Sequence, residues 1–130
     1  MMNINLIPDL MSVSTIADPS EVDFSQPYTF LSVSKENMTL ICPMDYTPEH
    51  TILREDGWKG FKFADTLYTC NAGALSTISS VLDEAGIPII MTSDVNMDYI
   101  FLKEEHFTKA LYTLEQNGCK ITNEMGDTTA

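Results

Sequence analysis

Apolar positions recur along the second half of the chain with two different periods, and each change of period marks an element. Phe107, Ala110, Leu111 and Leu114 return at helical spacing as one stripe. Glu104 and Glu105 suit the positive N-terminal end of that helix, and Gly118 stops it. Leu75, Ile78, Leu82 and Ala85 make an earlier stripe of the same kind, with Gly86 at the C-cap position. Between the two helices lie short apolar runs at residues 87–92 and 99–102. They are joined by Ser93-Asp94-Val95-Asn96-Met97, whose Asp and Asn favour a turn, so the pair reads as a β-hairpin. Upstream, Trp58-Lys59-Gly60-Phe61-Lys62-Phe63 alternates large apolar with polar residues, as a strand with one buried face does. Cys119-Lys120-Ile121 is a short closing strand.

From Trp58 to Thr122 the order is strand, helix, strand, strand, helix, strand. That order predicts an α+β class and a ferredoxin-like βαββαβ unit: one antiparallel sheet, strands 58–63 and 99–102 central, both helices on one face. The first half reads differently. Ile4-Asn5-Leu6-Ile7 is a candidate strand, and runs 28–33 and 38–41 form a hairpin around Ser34-Lys35-Glu36-Asn37. Residues 17–27 are polar and carry Pro19 and Pro27, which predicts a loop. Thr47 followed by Pro48 predicts a short helix running through Leu53 and ending before Gly57. This half has the hairpin and one helix of the same unit but lacks the other. The expected organisation is tandem: an abbreviated unit over residues 1–56, a complete one over 57–123, and an apolar-poor, disordered tail over 124–130.

Composition changes this picture mainly by exclusion. Hydrophobic residues make up 44% of the chain, enough for a real core. The apolar runs are far shorter than the roughly 20 residues of a membrane span. The N-terminus lacks the basic-then-apolar layout of a secretory signal, so a cytoplasmic protein is expected. Cys42, Cys70 and Cys119 form no C-x-x-C pair and read as small buried hydrophobes, with no metal and no cofactor implied. A formal charge of −12 repels phosphate backbones and anionic lipid, which argues against nucleic-acid and membrane partners and otherwise serves solubility.

Candidate chemistry gathers at the loop running to Gly73, because a glycine at a helix N-terminus leaves free N–H groups open to a carboxylate. Asn71 could add an amide, and Ser93 with Asp94 could meet an ammonium group. The plainer alternative is that Asn71 or Gly73 caps the helix while Asp94 and Asn96 make a turn. Asp94, Asn96, Asp98 and Glu105 also stand in EF-hand spacing, but Tyr99 occupies the sixth position, where a calcium loop needs glycine. His50 and His106 have no nucleophile placed beside them by any motif, so no enzyme is expected. The helix opening at Gly73 carries Ser76, Thr77, Ser79 and Ser80 and no charge through Leu82. Such a face suggests packing against the first half or a second copy, and a homodimer is expected.

Gly57-Trp58-Lys59, the helix-opening Gly73, Leu82-Asp83-Glu84-Ala85-Gly86-Ile87-Pro88-Ile89, Ser93 and the pair Asp98-Tyr99 give the chain its family likeness. In these residues, and in their order, it resembles the compact tandem ACT-domain proteins related to the cytosolic arginine sensors of animal cells. The resemblance implies a regulatory module that binds a small molecule, typically an amino acid, where two ACT units meet. If the chain binds such a ligand, the residues expected to hold it are Asn71, Ala72, Gly73, Ala74 and Leu75 with Ser93, Asp94 and Asp98. The carboxylate would lie on the N–H groups of Gly73 and Ala74, and the ammonium on Asp94 or Asp98. The chain departs from the family pattern at Thr69, Ala72 and Asp94, which keeps open a ligand-free dimerising scaffold as the alternative.

Overall fold

The computed structural model describes residues 3–64, 72–95 and 97–123. It contains strands β1 (Asn3–Leu6), β2 (Met11–Ile16), β3 (Phe30–Val33), β4 (Met38–Pro43), β5 (Leu53–Ala64), β6 (Ile90–Ser93), β7 (Met97–Lys103) and β8 (Lys120–Thr122). The helices are α1 (Ala72–Glu84) and α2 (Glu104–Gln116), with single 3-10 turns at Pro19–Glu21 and Met44–Tyr46. By contacts, residues 1–8 and 59–130 form one compact unit and residues 9–58 another.

The larger unit is the expected mixed α+β, ferredoxin-like arrangement. β7 pairs with β6 on one side and β5 on the other, so β5 and β7 are its inner strands. Phe61 and Phe63 on β5 and Ile100 and Leu102 on β7 alternate onto one face. There they join Ile78 and Leu82 of α1 and Phe107, Ala110 and Leu114 of α2 in one buried cluster. At about 1.5–3 kcal/mol for each large apolar side chain removed from water, this cluster is the chief stabilising term of the unit. Each helix ends as its sequence demands. Gly86 and Gly118 adopt positive φ, and the following N–H groups of Ile87 and Cys119 return to the carbonyls of Leu82 and Leu114. The Lys109 ammonium then caps the end of α1 by donating to the Ala85 carbonyl, 2.9 Å away.

One strand departs from the four-stranded antiparallel expectation. β1, grouped by sequence with residues 1–56, pairs antiparallel with β5 and parallel with β8, placing Ile4 opposite Ile121. Ile4 is fully buried in the same cluster. A four-residue strand announces its pleat but not its partner, which only the buried face decides.

The smaller unit, residues 9–58, orders its strands β3-β4-β2-β5, all neighbours antiparallel, using residues 53–58 of β5. Along the chain it runs strand, 3-10 turn, strand, strand, 3-10 turn, strand. That is the connectivity of the larger unit with a 3-10 turn in place of each helix. The helix expected from Thr47 to Leu53 does not form. Thr47 Oγ1 instead turns to Ser12 Oγ, the Ile52 N–H donates to the Thr15 carbonyl at 2.8 Å, and Leu53 already belongs to β5. Gly57 does not punctuate the chain either: it lies inside β5 at φ 83°, where the pairing with β2 slips between Met11 and Ser12, as a β-bulge requires. Residues 17–27, expected as loop, hold the first 3-10 turn, with Asp18 accepting from the Ser20 N–H and Pro19 at its start.

His50 Nδ1 lies 3.0 Å from Glu21 Oε2 at the unit's surface. The hydrogen bond to Glu21 raises the His50 pKa first, and the charges of Glu21 and Glu49 raise it further. A raised histidine favours the folded state below its ordinary value of 6.5, and that gain fades as pH climbs through the higher folded value. The expected outcome, read from the imidazole signals by NMR, is a His50 midpoint that falls in Glu21→Gln. An unmoved midpoint would remove Glu21 as the cause.

Candidate functional site

The turn between β6 and β7 is built by Asp94. Its backbone N–H donates to the Met97 carbonyl at 2.9 Å, and its Oδ1 accepts the Met97 N–H at 2.8 Å. Its Oδ2 accepts the Tyr99 hydroxyl at 3.3 Å. Both oxygens therefore hold the hairpin turn in place. Burial raises the Tyr99 pKa first, and the Asp94 charge and hydrogen bond raise it further, so the phenol remains a donor across the physiological range.

Asp98 is different in kind. It lies opposite Ser93 in the β6–β7 register and is only 7% exposed. By strand alternation its side chain falls on the same face as Ile100 and Leu102, the face that carries the helices. Ser93 Oγ donates to Asp98 Oδ1, while Oδ2 is buried and finds no hydrogen-bond partner among the described residues. Leaving a buried acceptor unpaired costs about 1–3 kcal/mol, and more for a charged one.

The remaining candidates divide cleanly. Ala72, Gly73, Ala74 and Leu75 form the first turn of α1, which holds no acidic residue. The backbone N–H groups of such a turn have no intrahelical acceptor, and no carboxylate of the turn itself answers them. Asn71, Thr69 and Asn96 lie outside the described residues. α1 follows β5, and β5 pairs with β7, so the strand leading towards α1 neighbours the strand that bears Asp98. The structure brings Ser93, Asp94 and Asp98 together on one hairpin, and adds Tyr99, which was not among the expected ligand residues.

Among the described residues no three His, Cys, Asp or Glu side chains gather as a metal site. Tyr99, in the sixth place of the EF-hand spacing, is in strand. No helix among the described residues is long and apolar enough to cross a membrane. The hairpin has a counterpart in the smaller unit, where the Ser34 N–H donates to the Asn37 carbonyl at 2.8 Å and Ser34 Oγ accepts the Asn37 N–H at 3.1 Å. Ser34 thus does for β3–β4 what Asp94 does for β6–β7.

Compared with known proteins, residues 53–116 match the ACT domain family model, from the start of β5 through α2. No curated protein matches the chain. A crystal structure of a protein from Agobacterium tumefaciens superposes with a TM-score of 0.84 over 99% of this chain and 98% of its own, at 17% identity. A Vibrio cholerae protein of unknown function gives 0.64 over 88% of each chain at 20% identity. The ligand-free regulatory subunit of aspartate kinase from Thermus thermophilus gives 0.60 over 88% of this chain and 97% of its own, at 8% identity. At these identities the likeness is one of fold.

Proposed function

Because residues 53–116 match the ACT domain, we propose that this chain is a regulatory ACT-type module rather than an enzyme, binding a free amino acid at its complete unit. The observation that carries the reading is the buried, half-paired carboxylate of Asp98. A ligand ammonium on Asp98 Oδ2 satisfies a buried hairpin oxygen that finds no partner among the described residues. The ligand carboxylate then falls to the N–H groups of Gly73 and Ala74 at the start of α1, where the helix end favours an anion. Asp94 and Tyr99 hold the hairpin in shape, and Ser93 orients Asp98. The tandem organisation and a cytoplasmic setting belong to the same proposal. The fold is shared with a ligand-free regulatory subunit, which supports a module whose work is binding.

The test is thermal unfolding of the full chain against each common amino acid. A ligand held only by the native state adds about 2.7 kcal/mol at 100 times its dissociation constant. Gly73→Val should abolish the shift by crowding the carboxylate. No shift with any amino acid would favour the second reading, a ligand-free dimerising scaffold.

One observation favours that second reading: Ser76, Thr77 and Ser80, on the uncharged side of α1, are exposed in the single chain. If a second copy covers them, Ser76→Arg or Ser80→Glu should halve the mass measured by light scattering, since neither charge would be compensated on burial. A wild-type monomer, or a dimer that tolerates both charges, would leave α1 a solvated face.

A further inference from the structure

We propose that the smaller unit carries a docking groove, centred on Ile52, for a basic, apolar-anchored segment of a partner protein. Two open concavities, of about 330 and 290 Å³, meet there and share Ala17 and Ile52 in their walls. The first runs along the ends of β2 and β3, over Ile16 and Met38, to the β3–β4 turn; the second lies between Asp18 and residues 49–51. Ile52 stands on the ridge between them at 63% exposure, and Val33 on the wall of the first at 68%. Two large aliphatic side chains displayed beside contiguous hollows suit an extended segment with alternating anchors better than an enclosed small molecule.

Charge selects the partner. Residues 9–58 hold nine Asp and Glu against Lys35 and Arg54, and Arg54 is already engaged by Asp56 at 2.8 Å. Glu36 lines the first hollow, Asp18 and Glu49 the second, and Glu21 reaches His50 on the same rim. Lys35 is the one lysine on the groove. Its walls therefore repel an acidic segment and attract a basic one, an attraction that weakens with salt.

The groove and the Asp98 site share no residue, so they can fail separately. The probe is a fluorescein-labelled peptide alternating lysine and leucine, followed by fluorescence anisotropy at low and physiological salt. Ile52→Ser and Val33→Ser, both at exposed positions and both leaving the net charge unchanged, should each weaken binding about tenfold. Replacing the peptide's leucines by serine should do the same, the equivalent of about 1.4 kcal/mol. Asp98→Asn should bind the peptide as the parent does. Equal binding by the parent and Ile52→Ser would mean general attraction to an acidic chain and would overturn the proposal, as would no binding at all.

Discussion

Gly60→Val should lower stability by roughly 3 kcal/mol, the upper end of the cost of forcing extra carbon into a packed core, and move the melting midpoint by on the order of 10 °C. Valine is among the better strand formers, so local propensity predicts the opposite sign. The neighbouring strand decides. A Cβ at position 60 would lie on the Phe101 ring, 2.5 Å from Cε1 and 3.2 Å from the Ile100 carbonyl oxygen. Phe101 is fully buried, so its ring can give way only by displacing its packed neighbours. The cause can be isolated by a cycle: Phe101→Leu costs stability by itself but should cost little or nothing, or even restore some, in a Gly60→Ala background. Additive losses in urea unfolding would show that the ring is not what excludes the side chain.

Asp98→Leu should have the reverse signature, unfolding at the same or a higher temperature, by about 1–2 kcal/mol, while losing ligand. The change removes a buried carboxylate with one oxygen unpaired among the described residues. Replacing a poorly compensated buried charge with an apolar group of similar size is often neutral or stabilising. Ser93, the residue left without its acceptor, is exposed and can turn to water. Asp98→Asn keeps the shape and should weaken an ammonium-bearing ligand by about 10- to 100-fold, the worth of one charge-assisted hydrogen bond. A loss of several kcal/mol in the free protein would instead make Asp98 a structural residue with its partner inside the fold.

The helices and strands of the larger unit were legible because their polarity follows their burial. Ile78 and Leu82, Phe107 and Leu114, and Phe61 and Phe63 all point where their chemistry says they should. β2 was not legible because its inward positions are partly polar. Ser12 and Ser14 are 0% and 2% exposed, so the apolar alternation of Met11–Ile16 is broken in the middle of the strand. Ser12 is accommodated by Thr47 and Cys42, residues remote in sequence, and the same contact draws Thr47 out of the helix-capping role its Pro48 suggested. Strand β1 gave its pleat but not its place between β5 and β8, since pairing depends on which cluster receives Ile4. At the hairpin, the sequence could name Ser93, Asp94 and Asp98 but not sort them. Among the described residues Asp94 uses both oxygens locally and Asp98 only one, a difference fixed by the reach of Tyr99 and by burial rather than by residue type.

The most direct test of amino-acid binding through Asp98 is isothermal titration of the full chain with the amino acid that most raises its melting temperature, beside the same compound acetylated on its nitrogen. The account predicts saturable heat with the free amino acid, none with the acetylated form, and a dissociation constant for the free amino acid raised about 10- to 100-fold in Asp98→Asn. Heat that survives acetylation, an affinity unchanged by the loss of the Asp98 carboxylate, or no heat with any amino acid, would contradict it.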